Sequence, residues 1–577
     1  MARIKVSVLT KKKKPSLVLT LSSAGLLIGS GIAGYWLLTQ GKPLSRDLPS
    51  GANVIPQDAL FTISLTTDVG QWQRLRELGT SEVQAELDKY LVQFRERFLT
   101  KNGYDYQKDI QPWVGEQVTL AVLTPVDDSK PSVKPIASNI KVANSQQLVM
   151  VLPIKNPQNA KNILTQMKAP QGSSWKQRTY QGVTIQETDI NSSSTTDNFA
   201  AAVIEDKYIV ITDNPLAVEK AIDAYKTKTS LSRVPGYTDN IPKISSYQPF
   251  AQFYINVPTS AKIASASHYR HLPSQVLAQL QNNQGLAGTV TLESEGVRLK
   301  GISWLNPNSQ RVLAVNNNAG RMQNRIPADT LMMLSGGSFA RFWADYALTS
   351  QGNPLSPFPP EQLRSGFKSF TTMDLDRDFL SWMNGEFSLS VIPTSQEGTD
   401  EPFRAALVFM VQTNDRNKAD AALKQLDEVM QSQYQFQIEE KKVLNKPVVN
   451  WIGPFGTLTA SHGWMDNNVA FFALGAPITE KILDTSQWNN SLARAEIFQK
   501  TVPSELNPTN GQFFLDVERT AKNFPLPRMF PNQQAFLNAT NSIGVTSAIS
   551  DNRSNRYDIF IALKKAGNPV PLPSPKP

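Results

Sequence analysis

The stretch Asp109-Ile-Gln-Pro-Trp113-Val-Gly115-Glu116-Gln-Val-Thr-Leu-Ala-Val122 returns as Asp378-Phe-Leu-Ser-Trp382-Met-Asn-Gly385-Glu386-Phe-Ser-Leu-Ser-Val391. Each copy sets an acidic residue four positions before a Trp, follows it with a Gly-Glu pair, and ends in an alternating apolar strand. The two Trp residues lie 269 positions apart in a chain of 577 residues. Other matches keep the same order. Ile55-Pro-Gln-Asp-Ala-Leu60 pairs with Ile326-Pro-Ala-Asp-Thr-Leu331, and Glu219-Lys-Ala-Ile-Asp223 with Glu480-Lys-Ile-Leu-Asp484. Ser230-Leu-Ser-Arg233 pairs with Ser491-Leu-Ala-Arg494, and Ala251 to Val257 with Gly511 to Val517. So many ordered matches mean an internal duplication. The period is far longer than the roughly 20–50 residues of a solenoid repeat.

Within each copy the apolar pattern alternates between periods of two and 3.6, so strands alternate with helices. Ala201–Ile204 with Tyr208–Ile211, and Trp464–Met465 with Val469–Phe472, read as hairpins. Pro215 and Pro477 read as helix starts. Ser81-Glu-Val-Gln84 reads as a capping box opening a helix that carries Val83, Leu87, Tyr90, Leu91, Phe94 and Phe98. The expected fold class is α+β, with an N-terminal transmembrane helix followed by two homologous lobes of mainly antiparallel sheet and packed helices. The expected divisions are a basic cytoplasmic segment 1–15, a transmembrane helix 16–40, a linker 41–54 and a first lobe 55–305. A junction 306–325, a second lobe 326–563 and a Pro-rich tail 564–577 complete the chain. Two separate lobes are favoured over one intertwined domain, because each half is long enough for its own core.

The membrane expectation rests on Ser16 to Gln40, which holds no Asp, Glu, Lys, Arg or His and is long enough to span a bilayer. Lys11 to Lys14 precede it and Tyr35-Trp36 stand near its end, so the positive-inside rule keeps the N-terminus cytoplasmic. Gly31-Ile-Ala33 loosely matches a signal-peptidase site, but the apolar run continues to Leu38, which favours an uncleaved anchor. The net charge of +9 shrinks when located: six of the 58 basic residues, Arg3, Lys5 and Lys11 to Lys14, precede the apolar segment, leaving 52 against 49 acidic ones. A remainder so nearly neutral shows no footprint for nucleic acid. The absence of Cys removes disulfides, thiolate metal sites and Cys nucleophiles.

No catalytic, cofactor or metal residues are assigned. His268 and His271 share i,i+3 spacing but lack a third ligand nearby. His462 follows Ser461 on a strand, without a nucleophile-elbow motif. Asp374-Leu-Asp376-Arg-Asp378 begins like a calcium loop and lacks its Gly and terminal Glu. Glu116 and Glu386 are the most tempting carboxylates. A local role in turning the chain outweighs acid–base work for them, as core anchoring does for Trp113 and Trp382. Asp109, Trp113, Gly115, Glu116, Asp378, Trp382, Gly385 and Glu386 are therefore taken as repeated structural positions.

The basic N-terminus, the apolar segment, the Ile-Pro-x-Asp openings and the Trp…Gly-Glu cassettes together resemble a cyanobacterial family of membrane-anchored proteins catalogued as a domain of unknown function. The resemblance implies a bulk in the periplasm or thylakoid lumen and carries no catalytic residues. The leading expectation is a non-enzymatic, membrane-tethered binding or scaffold protein whose partner is a protein or a small apolar ligand. A lipid or pigment carrier, and a hydrolase with a spatially assembled site, stand as alternatives.

Overall fold

Alternating stretches such as Phe61-Thr-Ile63-Ser-Leu65 can satisfy their backbone only by pairing, and the partners they find are nearly all antiparallel neighbours. A computed structural model describes residues 48–98, 105–124, 147–160, 174–189, 200–266, 282–350, 359–394, 404–475, 477–484, 489–524 and 533–573. The first half contributes β1 (Phe61–Thr66), β2 (Gln117–Leu123), β3 (Gln147–Pro153), β4 (Ser174–Tyr180), β5 (Val183–Asp189), β6 (Ala200–Ile204), β7 (Tyr208–Thr212), β8 (Ala251–Asn256), β9 (Asn283–Glu293) and β10 (Gly296–Leu305). The second contributes β11 (Met332–Gly336), β12 (Phe387–Pro393), β13 (Ala405–Gln412), β14 (Gln437–Val443), β15 (Lys446–Ile452), β16 (Leu458–Trp464), β17 (Val469–Leu474), β18 (Gly511–Asp516), β19 (Thr540–Asp551) and β20 (Ser554–Leu563).

Pairing runs β4-β5-β6-β7-β3-β2-β1-β8-β9-β10 in the first half. It runs β14-β15-β16-β17-β13-β12-β11-β18-β19-β20 in the second. Position for position the order is the same, which is the duplication expressed as topology.

The halves are not separate lobes. β10 pairs antiparallel with β20 from Gly296↔Ala562 to Trp304↔Ser554, so one sheet runs through both. Left alone, β10 and β20 would each end a half-sheet as a long open edge; pairing them removes both edges at once. The pairing is self-complementary. Gly296 and Ser554 each start the second strand of their hairpin, and Gly296 faces Ala562 as Ser554 faces Trp304. Lys300 faces Asp558 at the centre, so a pseudo-two-fold axis passes between them, as in an isologous dimer interface.

Helices pack on both faces of this sheet. In the first half α1 (Val69–Glu77) and α2 (Ser81–Phe98) place Leu75, Leu78 and Leu87 over β1, β8 and β9. The same cluster takes in Ile559, Ile561 and Leu563 of β20, so apolar packing also crosses the seam. On the opposite face α3 (Pro215–Lys226), begun by Pro215 as expected, buries Ala217, Val218, Ala221 and Ile222. In the second half α4 (Phe339–Ser350), α5 (Pro360–Thr371) and α6 (Arg416–Tyr434) sit over β12, β13 and β15 to β17. Pro477 stands two residues ahead of a shorter helix, Thr479–Leu483.

Other expectations change. No helix among the described residues is long and apolar enough to cross a membrane, which corrects the expected fold class. Even the 19-residue α6 is apolar on one face only, with Ala419, Leu423, Leu426 and Met430 turned to the sheet. Residues 1–15 and the expected span 16–40 lie outside the described residues, as do His268 and His271. The described end of the expected linker is core: Ala52 and Val54 are buried in the first half. The capping box is displaced by one residue. Thr80 caps α2 through its hydroxyl to Val83 N, while Gln84 turns instead to the Arg76 carbonyl at 2.8 Å.

Candidate functional site

The repeated cassettes are the first place to look for chemistry, and their geometry is backbone work. Each begins with one wide helical turn, Tyr106–Ile110 and Leu375–Phe379. Asp105 accepts from Lys108 N at 3.0 Å, and Asp109 reaches back to accept from Asp105 N at 2.6 Å. Asp374 and Asp378 repeat this with Arg377 N at 2.9 Å and Asp374 N at 2.8 Å. The indoles of Trp113 and Trp382, both buried, donate to the carbonyls of Asp109 and Asp378 at 2.6 and 3.1 Å. The unit is therefore Asp-x-x-x-Asp-x-x-x-Trp, in which two carboxylates cap a turn reciprocally and the Trp closes it. Its first Asp went unread in the sequence, although the four-residue spacing was there to see. The calcium-like run is thereby spent: Asp374 and Asp378 cap, and Asp376 pairs with Arg364 at 2.6 Å. Arg364 and Arg377 hold Asp376 and Asp378 below the usual carboxylate range.

The glycines are there for close approach. Gly115 N donates to Pro153 O at 2.8 Å and Gly385 N to Gln412 O at 3.0 Å. A Cβ on Gly385 would lie 2.7 Å from that oxygen, and one on Gly115 would lie 3.0 Å from Pro153 Cβ. The glutamates that follow diverge. Glu116 is exposed. Glu386 is 4% exposed, and its Oε1 accepts from Gly320 N, Arg321 N and Met322 N at 2.8, 2.7 and 3.1 Å. Three consecutive amides form a nest around one carboxylate oxygen. Glu386 thus fastens the junction between the repeats to the second cassette.

His462 is buried on β16, with Nε2 at 2.7 Å from Asp427 Oδ1 of α6. The same oxygen accepts from Trp451 Nε1 at 2.7 Å, and Phe472 stacks on the imidazole with centroids 5.3 Å apart. Ser461 is no partner for this pair. Successive strand residues point to opposite faces, and Ser461 Oγ bonds Asn450 at 2.7 Å. The Asp–His pair can orient and rigidify; among the described residues its hydrogen bonds run to Trp451 and bring in no hydroxyl.

Charge converges instead at the pseudo-dyad. One register row crosses ten strands as Thr119, Ser64, Gln252, Thr289, Lys300, Asp558, Thr546, Gln512, Ser335 and Ser388. It is polar throughout and reads the same outward from its centre in residue class. Arg298 forks onto Asp558 at 2.9 and 3.0 Å and reaches Glu293 at 3.2 Å, while Lys300 meets Glu505 at 2.5 Å. Burial lifts the Asp558 carboxyl above its usual range in spite of Arg298. Burial would also raise Glu505, but Lys300, Arg298 and Arg556 outweigh it and hold Glu505 low. Every charge here has a counter-charge, so the arrangement clamps the seam and leaves no spare acid or base.

At the Trp304–Ser554 end of the seam, both halves line a cleft of about 290 Å³. Gly236, Asn240, Lys243 and Trp304 come from the first half, and Asp551, Arg553 and Ser554 from the β19–β20 turn. Trp304 donates to Pro235 O at 2.9 Å and stacks on Tyr254, with centroids 5.8 Å apart. Gly236 has a φ of +76°, and a Cβ there would lie 2.7 Å from Trp304 Nε1. Lys243 Nζ bridges Asn240 at 2.9 Å and Asp551 at 3.0 Å. Burial opposes ionisation of Asp551, yet bonds from Ser554 and Lys243 hold it below the usual range. This polar cleft ties the halves together through side chains that already satisfy one another.

A family model described as a protein of unknown function, DUF3352, matches residues 20–563. The chain belongs to that family. The DUF3352 match spans both repeats and the seam between them. No curated protein matches the sequence. Among solved structures, crystal forms III, I and IV of TP0453 are similar at 9–10% identity, with TM-scores of 0.23–0.24. They cover 45–46% of this chain and 80–87% of their own.

Proposed function

We propose that this DUF3352 chain is a non-enzymatic binding or scaffold protein in which two welded repeats present one rigid surface to a protein partner. The observation that carries the reading is the outward face of the second-half helices. On α5, Leu363, Phe367 and Phe370 recur at i, i+4 and i+7, the spacing of a stripe that would normally be buried. Phe367 packs on Phe379, yet Leu363 is 37% and Phe370 47% exposed, and Phe342 of α4 is 41% exposed. Tyr434 stacks on Phe370 with ring centroids 4.3 Å apart, which fixes an apolar platform in place. Grouped exposed apolar side chains on a rigid support mark interaction sites. The equivalent helix of the first half, α2, turns Tyr90 and Phe94 outward as well.

The same reading places the protein in a cyanobacterial periplasm or thylakoid lumen. Support comes from the family resemblance, the absence of Cys, and the six positive charges gathered before the apolar segment. A photo-crosslinking residue placed at Phe370 in cells tests the binding reading. A discrete protein adduct, lost when Phe342 and Leu363 are changed to Ala, is expected. Absence of any adduct at Phe370, Leu363 and Phe342 would reject it.

A further inference from the structure

Residues 564–573, the described part of the segment read from sequence as a Pro-rich tail, are docked. Leaving β20, they cross to the first-half helices: Gly79 N donates to Lys564 O at 2.6 Å and Ala566 N to Glu77 O at 2.9 Å. Beyond Ala566 the side chains of α1 and α2 take over. Gln84 Nε2 donates to Gly567 O at 3.4 Å, Arg76 Nη2 to Val570 O at 2.5 Å, and Arg95 Nη2 to Pro573 O. Arg76 is itself buried and held by Asp88 through two bonds of 2.5 and 2.9 Å, which orient the guanidinium so that the second N–H of Nη2 meets the tail. Half-burial falls on Ala566, Pro569 and Leu572, with the residues between them exposed. That period of three is the repeat of a polyproline II strand, whose carbonyls make no internal bonds and stand free for donors.

We propose that the α1–α2 surface is a recognition groove for an extended, proline-rich strand of a partner protein, filled in cis by Gly567–Pro573. The groove reads main-chain carbonyls through Gln84, Arg76 and Arg95, and every third side chain through its apolar contacts. Such recognition favours prolines because their strand is preformed and loses little entropy on docking. Arg95 Nε is buried without a hydrogen-bond partner, a donor left over for a strand that fits more completely. The tail is tethered four residues away at Leu563, which gives it an effective concentration of about millimolar. An incoming strand therefore has to bind better than the tail or meet a weakened one. This proposal concerns a different surface from the second-half platform and stands or falls separately.

The native chain has no Cys, so Pro577→Cys gives a single site for a fluorophore on the full-length protein. The probe is a synthetic peptide of residues 564–577, with a control peptide in which its prolines are Ala. Saturable loss of tail anisotropy at about millimolar peptide, and no loss with the control, is the expected result. Pro569→Ala with Pro571→Ala in the tethered tail should lower the midpoint about tenfold, because only the resident strand loses its preorganisation. No displacement by the proline peptide overturns the proposal, as does equal displacement by the control or an unchanged midpoint in the tail variant. Concentration-dependent dimers of the labelled protein without peptide would also overturn it, in favour of tail exchange between copies.

Discussion

Replacing Glu386 separates the two cassettes that look alike in sequence. Its Oε1 accepts three backbone donors in a residue that is 4% exposed. A bond to a charged acceptor contributes about 1.5–3 kcal/mol net, against about 1 kcal/mol for a neutral one. Glu386→Gln keeps an acceptor oxygen but removes the charge, and because one oxygen serves three donors the loss should total about 2–3 kcal/mol. Glu386→Ala removes the acceptor and leaves three amides without it. Two of these are part-buried and regain some water, so about 3–5 kcal/mol is expected. Glu116→Gln, at an exposed carboxylate, should stay within about 0.5 kcal/mol of the parent. Urea unfolding of the three variants, with m-values checked for constancy, measures this. Equal costs for Glu116→Gln and Glu386→Gln would refute the assignment of Glu386 to the amide nest.

Three further outcomes follow from the same geometry. Gly385→Ala forces a Cβ toward the Gln412 carbonyl and should destabilise by about 1–3 kcal/mol, more than Gly115→Ala, as read by midpoint shifts in the same assay. His462→Ala empties a site between Trp451 and Phe472 and takes one donor from Asp427, so thermal unfolding should show a loss of about 2–4 kcal/mol. Acid stability should divide at the seam. Glu505 and Asp551 are held low in the folded state, so they stabilise above their unfolded values and that contribution is lost as pH falls below about 4. Asp558, held high, acts in the opposite sense: its contribution is most favourable at low pH and declines as pH rises from about 4 through its raised folded value. Stability measured between pH 3 and 6 should therefore depend less steeply on pH in Glu505→Gln and more steeply in Asp558→Asn.

The duplication was legible because its markers are imposed by backbone geometry. Gly115 and Gly385 tolerate no side chain at a close approach, and Trp113 and Trp382 close the same capped turn. Local chemistry of that kind survives in sequence with its spacing intact. The partner of β10 was not legible, since alternation in Gly296 to Leu305 shows that a strand has two faces and says nothing about which strand lies alongside. Nor was the fate of the two glutamates, because Glu386 is claimed by amides some 64 residues upstream, while Glu116 is left at the surface. The charged row through Lys300 and Asp558 was hidden for the same reason. Its members come from ten strands and meet only through register.

The central claim is that two repeats form one cooperative sheet about the Lys300–Asp558 dyad, and native-state hydrogen exchange of the seam tests it most directly. Amides of residues 296–305 and 554–563 should exchange only through global unfolding, with the same free energy as the central strands β1 and β11. Fast exchange in those two segments, with β1 and β11 still protected and each half unfolding in its own transition, would contradict it.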